Sequence, residues 1–155
     1  MEAKIVFLST ALAVVLVAAS GAHAEDTKVY SGDACQTFFG DQAGDLFRNP
    51  QSLHNQSDEY RLVICPIVRD NTENLNGVES AEIRVQSPLT LELVCYLQSR
   101  SALGELLEQD RGATTSQNVN VLPLDVDVST IGGYYSLACE LPPQGQIYGY
   151  SVTEP

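Results

Sequence analysis

The chain has 155 residues, with 20 acidic and 8 basic side chains, two histidines, four cysteines, seven tyrosines and no tryptophan, for a formal charge of −12. Such a charge repels nucleic-acid phosphates and anionic lipid at long range, so neither is expected as a partner. The length suits one domain with a single core.

Residues 1–24 read as a secretory signal peptide. Lys4 carries the positive charge, Ile5 to Ala19 form an apolar core, and Ala22-His23-Ala24 is a small-x-small cleavage site. That core is 15 residues long, short of the roughly 20 that span a bilayer. The reading predicts a mature domain over residues 25–155, secreted or periplasmic and without a membrane span. Setting Glu2 and Lys4 aside leaves it 19 acidic and 7 basic residues, and the charge stays at −12.

Up to residue 60, Gly32, Gly40, Gly44 and Asn49-Pro50 predict loop, with short helical turns around Cys35 to Phe39. Tyr60 to Val68 is apolar on both faces and predicts a central strand covered on both sides, with Pro66 at its end or at a bulge. In Ala81 to Gln86, Ala81, Ile83 and Val85 alternate with Glu82, Arg84 and Gln86, which predicts a half-buried strand. Leu91, Leu93, Cys95 and Leu97 form the apolar face of the next. In Ser101 to Gly112 the spacing of Leu103, Leu106 and Leu107 suits a short helix capped by Ser101 and Gly112, or else a long loop. Val119 to Val128, Tyr135 to Leu141 and Ile147 to Thr153 complete the strands, with Pro142-Pro143 closing the second of these. The whole predicts an all-β fold: one antiparallel sandwich of about seven strands, jelly-roll or immunoglobulin-like.

An even set of cysteines behind a signal peptide predicts two disulfides made in an oxidising compartment. Three pairings of Cys35, Cys65, Cys95 and Cys139 exist. The preferred one is Cys35 with Cys65, tying the N-terminal loop to the central strand, and Cys95 with Cys139, joining two core-facing strand registers. No C-x-x-C pair is present and only His54 remains among mature histidines, so zinc is not expected, nor any other cofactor.

Candidate chemistries fail in turn. Cys65 and Arg69, in VICPIVRDN, are too close for a phosphate-cradling loop, which needs five residues between cysteine and arginine. His54 lies beside Ser57 and Asp58 in LHNQSDEY, without the G-x-S-x-G elbow of a serine hydrolase. Asp125 and Asp127 share one side of a strand as a glycosidase pair would, but they also read as its wet face. Asp70, Glu73, Asn74 and Asn76, in DNTENLNG, supply oxygens for calcium but lack the EF-hand glycine. Tyr148 and Tyr150 share a strand face in the alternating reading, as stacked sugar-binding rings do, and Tyr134 and Tyr135 lie nearby. Asn55-Gln56-Ser57 is a glycosylation sequon, relevant only in a eukaryotic host.

Several landmarks recur in order: Cys35, the segment His54 to Ser57, VICPIVRD from Val63 to Asp70, LVCYL from Leu93 to Leu97, and YYSLACELPP followed by IYGYSVTE. In these the chain resembles a set of small secreted bacterial proteins with no assigned function. The resemblance implies a bacterial exported β-sandwich and carries over no catalytic residue. The functional expectation is a non-enzymatic binding or structural module whose partner is a protein or a glycan, met at strand edges or loops. The alternative is a secreted hydrolase using His54 or the pair Asp125 and Asp127.

Overall fold

The computed structural model describes residues 26–70, 77–78 and 80–154. The expected signal peptide and three of the four calcium candidates, Glu73, Asn74 and Asn76, lie outside the described residues. Among the described residues eleven strands run in chain order: β1 (Asp26–Ser31), β2 (Gln36–Thr37), β3 (Leu46–Asn49), β4 (Ser52–Asn55), β5 (Arg61–Pro66), β6 (Ser80–Gln86), β7 (Leu93–Arg100), β8 (Leu106–Thr114), β9 (Asn120–Leu124), β10 (Tyr134–Leu141) and β11 (Gln146–Glu154). Two 3-10 turns, Gly32–Ala34 and Gly40–Asp45, join the early strands.

The strands form two antiparallel sheets. Sheet A has the order β3-β4-β11-β6-β9, with β1 also on β11; sheet B has the order β2-β5-β10-β7-β8. β4 pairs with β11 at Gln146 and Ile147, and β1 with the same strand from Gly149 to Glu154, so they follow one another along its length. Taken from β4 to β11, the eight strands alternate between the sheets except at the β7–β8 hairpin, and each four-strand set interleaves early and late strands. That connectivity is the jelly roll, the first of the two expected outlines.

The predicted alternation explains the core. Ala81, Ile83 and Val85 of β6 point inward with Leu122 and Leu124 of β9, their cross-strand partners. Leu97 and Leu137, paired across β7 and β10, meet them from sheet B and are fully buried. Each such leucine contributes about 1.5–3 kcal/mol through removal from water.

Both disulfides form in the preferred pairing, Cys35–Cys65 and Cys95–Cys139. Cys95 and Cys139 are direct partners on neighbouring strands of sheet B. Cys35 lies one residue before the pair Gln36 and Ile64, opposite Cys65. Both are therefore ties within one sheet, between core-facing residues, and all four cysteines are fully buried.

The structure departs from the sequence reading in four places. Ser101 to Gly112 is neither helix nor long loop. The Ser101 hydroxyl accepts hydrogen bonds from the Leu103 and Glu105 amides, at 3.2 and 3.1 Å, and so caps a tight turn. Gly104 takes φ +86° there, a left-handed conformation costly for other residues. The chain then returns as β8, leaving Leu103 exposed rather than on an apolar helix face. Second, the segment before residue 60 contributes four short strands beyond the seven that follow, because its backbone pairs with the flanks of β5 and β11. Third, β5 is covered on one side only: Val63 and Cys65 are buried, while Leu62 and Ile64 are half-buried on the outer face of sheet B. Fourth, β9 ends at Leu124, because the Asp125 and Val128 amides donate to the Asp110 and Glu108 carboxylates of β8 instead of continuing a ladder.

Asn55 closes one end of the sandwich. Its Nδ2 donates to the carbonyls of Glu59, Leu141 and Pro142 at 2.7–3.0 Å, and its Oδ1 accepts from the Ser57 amide and hydroxyl. Asn55 is fully buried, so the folded protein presents no side-chain amide for glycosylation at this sequon.

Asn55→Ala is expected to lower unfolding stability by about 3 kcal/mol, because buried carbonyls lose their donor; urea denaturation measures it. Peptide mapping of the non-reduced protein should recover the two linkages above. By loop entropy, breaking either one costs roughly 3.5 to 4 kcal/mol, to be compared between Cys95→Ala/Cys139→Ala and the parent.

Candidate functional site

The residues singled out for catalysis are not brought together. His54 sits on the outer face of β4, paired with Phe47 and Gln146. Its Nε2 is shielded from solvent and makes no hydrogen bond. Asp125 follows β9 at the far side of the same sheet, with β11 and β6 between. Three strand spacings separate them by about 14 Å across the sheet, and they also lie toward opposite ends of β6, His54 level with Gln86 and Asp125 just past the partner of Ala81. Asp125 lines a shallow depression with Asp110 and Glu82, whereas Asp127 does not take part in it. The Ser57 hydroxyl is engaged by Asn55 and by the Glu59 carbonyl. Neither that depression nor the cleft at Tyr148 described below is lined by His54 or by Asp125 together with Asp127.

Asp70, the calcium candidate among the described residues, lies 3.0 Å from Lys28 Nζ, and Lys28 also meets Glu154 at 3.3 Å. The hydrogen bond from Lys28 and then that with Asp26 hold the Asp70 carboxyl below its ordinary value. Asp26 is pushed up, first by its hydrogen bond with Asp70, then by burial and by the Asp70 charge. This corner fastens the first strand to the last.

The tyrosines divide between faces. β11 carries a bulge: Ile147 pairs with Val85 and Gly149 with Arg84, so Tyr148 is an extra residue. The bulge shifts the alternation by one, and Tyr148 and Tyr150 do not share a face as the sequence pattern predicts. Tyr150 turns inward, stacks on Tyr30 with ring centres 4.8 Å apart, and donates to the Pro66 carbonyl at 2.6 Å. Burial, then the Tyr30 hydroxyl, pushes its own hydroxyl well above the ordinary value. Tyr135 is buried beneath Arg69, with the guanidinium carbon 5.3 Å from the ring centre, and Tyr134 is exposed.

Tyr148 remains on the outer face of sheet A, where its hydroxyl donates to Gln86 Oε1 at 2.6 Å and so fixes the ring. Beside it lies a cleft of about 320 Å³ lined by residues of β1, β6 and β11 and by Gln51. Gly149 lies in its floor. A Cβ on Gly149 would approach the Tyr30 carbonyl oxygen to 2.8 Å, so the close pairing of β1 with the bulge requires glycine. Around that floor stand Arg84 and Glu82, successive outward residues of β6, with Val29, Ser31 and Ser151 opposite. Arg84 and Glu82 are both exposed, and neither side chain engages another described residue. The outward register of both was visible in the sequence. The cleft was not, because it arises from a bulge signalled only by a glycine within a strand pattern.

The fold and site thus define a jelly-roll domain, braced by two disulfides, with a cleft on the open face of one sheet. No family model matches the chain, and no curated protein matches it. Among solved structures it is similar to that of TmCBM61 in complex with beta-1,4-galactotriose, with 10% identity, a TM-score of 0.40 and coverage of 83% of each chain. Among the described residues no helix is long and apolar enough to cross a membrane.

The corner at Lys28 titrates with two signs. Asp70, depressed, contributes stability above its ordinary 3.8 that is lost as pH falls through its lower folded value. Asp26, raised, opposes it: its contribution is present below 3.8 and is lost as pH rises through its folded value. At pH 7, Lys28→Met should therefore loosen β1 and Asp26→Asn should tighten it. Hydrogen exchange of the Asp26–Ser31 amides, corrected for intrinsic rates, should show both differences shrinking once the carboxylates are protonated.

Proposed function

We propose that this protein is a non-catalytic glycan-binding module, exported to an oxidising compartment, that holds a sugar ring in the cleft at Tyr148. The observation that carries this reading is a ring fixed by its own hydrogen bond beside a side-chain-free floor, with a donor, Arg84, and an acceptor, Glu82, left unengaged. A sugar presents an apolar ring face and a rim of hydroxyls that both donate and accept. Tyr148 and Val29 meet the first requirement, and Arg84, Glu82 and Gln51 the second. The volume lies at the lower end of the about 300–1,000 Å³ typical of small-molecule sites.

A peptide fits less well. The cleft lies on a sheet face whose strands β1, β11 and β6 are already paired with one another. An extended chain joining the ladder would have to add at the outer edge of β1 rather than lie in the cleft. Two buried disulfides suit an oxidising compartment, and the resemblance in the cysteine and C-P-x-x-R-D elements supports bacterial export.

Affinity electrophoresis through gels containing a panel of plant, algal and bacterial polysaccharides tests the proposal. The protein should be retarded by at least one. Tyr148→Ala should weaken that retention at least tenfold, about 1.4 kcal/mol, with an unchanged circular dichroism spectrum. Retention by none of the panel would count against the reading, as would retention that survives loss of the ring.

A further inference from the structure

Seven basic side chains fall among the described residues, in a chain of net charge −12. Six are committed within the fold. Lys28 meets Asp70 and Glu154, Arg61 meets Asp45 and Glu59, and Arg111 meets Glu92. Arg48 donates to the Cys35 carbonyl and Arg69 to that of Gly133, while Arg100 donates to Gln98 Oε1 and the Gly104 carbonyl. The remaining one is Arg84, which makes neither an ion pair nor a hydrogen bond with any described residue, and it lines the cleft.

The surroundings of Arg84 are also free of acid across the strands. Its partner on β11 is Gly149 and its partner on β9 is Val121. The nearest acid along its own strand on the same face is Glu82, two residues away, or about 6.7 Å between Cα atoms. Glu82 pairs with Ser151 on one side and Pro123 on the other. The cleft is thus polarised along β6, with a fork of donors at the end near Tyr148 and an acceptor-only carboxylate at the other. A guanidinium recognises a carboxylate through two parallel hydrogen bonds, a geometry that single hydroxyls do not match. A carboxylate can accept only from donors such as ring hydroxyls.

We infer that the cleft selects a sugar carrying a carboxylate, a uronic acid residue, with its acid group on Arg84 and its hydroxyls toward Glu82. This rests on the glycan reading above and narrows it to one class of ligand. The negative charge of the protein does not forbid it. At physiological ionic strength the field of distant acids decays within about 8 Å, whereas the Arg84 contact acts at hydrogen-bond distance.

Calorimetric titration of the full mature protein with three trisaccharides tests the inference: a uronic acid trimer, its methyl ester, and the neutral hexose trimer of the same linkage. The expected order places the acid at least tenfold tighter than the ester. Arg84→Gln should erase that difference, bringing the acid and the ester to the same affinity, and as an exposed substitution it should leave the melting temperature unchanged. Ester or neutral trimer binding as tightly as the acid overturns the carboxylate inference and leaves the glycan reading standing. A preference for acid that persists in Arg84→Gln also overturns it. Absence of binding by all three, when the polysaccharide panel also fails, removes both.

Discussion

Sheet B is held across its strands by covalent bonds, and the rest of the molecule is built against it. On its inner face Cys35 stands opposite Cys65, and Cys139 opposite Cys95, so one disulfide ties β2 to β5 and the other ties β10 to β7. Between these two covalent pairs runs the β5–β10 ladder, where Cys65 is paired with Leu137 and Cys139 with Val63. Four cystine sulfurs therefore share a packed layer with fully buried aliphatic side chains. A domain of this size with few aromatic residues gains rigidity from such a layer that its apolar area alone would supply less completely. Sheet A packs on this layer through Ile83, Val85, Ile147 and Val152, and carries no disulfide of its own.

That division leaves sheet A free to depart from regular pairing. A bulge costs ladder hydrogen bonds and twists its strand, and it is tolerated where neighbours fix the backbone on both sides. β11 has such neighbours, β6 on one edge and β4 followed by β1 on the other. The extra residue, Tyr148, goes to the outer face, Gly149 follows it there, and the alternation resumes with Tyr150 inside. One inserted residue thus produces the exposed ring, the floor of the cleft and the buried Tyr30–Tyr150 stack. The tight approach of β1 to Gly149 and the ion pairs of Lys28 at the far end of β1 keep that wall of the cleft in place.

Much of this was legible in the sequence, wherever a strand has one dry face. Ala81, Ile83 and Val85 in β6, and Leu137, Cys139 and Leu141 in β10, alternate cleanly and fall as read, and with them the partners of both disulfides. Periodicity was least informative where polar residues do structural work. β8 places Glu108 and Asp110 opposite Ser99 and Leu97 of β7, on the side facing the other sheet, so its apolar pattern imitates a weak helix. Those carboxylates hold the backbone after β9, which also removes Asp125 and Asp127 from a regular strand. The N-terminal strands β1 to β4 are short and rich in turn residues, and they exist through pairing with distant segments that local sequence cannot reveal. The candidate site shares that difficulty, since Arg84 and Glu82 could be placed on a face but not beside a bulge.

The edges of the two sheets bear on where a partner can bind. An open strand edge invites another chain to pair with it unless something blunts it. In β9, at one edge of sheet A, Pro123 lacks a backbone donor. In β8, at one edge of sheet B, Glu108 and Asp110 turn inward, an arrangement that opposes pairing with a further strand. β2 and β3, at the other ends of the two strand orders, offer two and four residues, while β1, paired with β11 alone, leaves a six-residue edge of sheet A open. Strand addition, which binds a peptide through its backbone, is therefore poorly served except along β1. Binding that does not use the edges falls to a face, and the outer face of sheet A holds a fixed ring, an unengaged cation and a cleft within one patch.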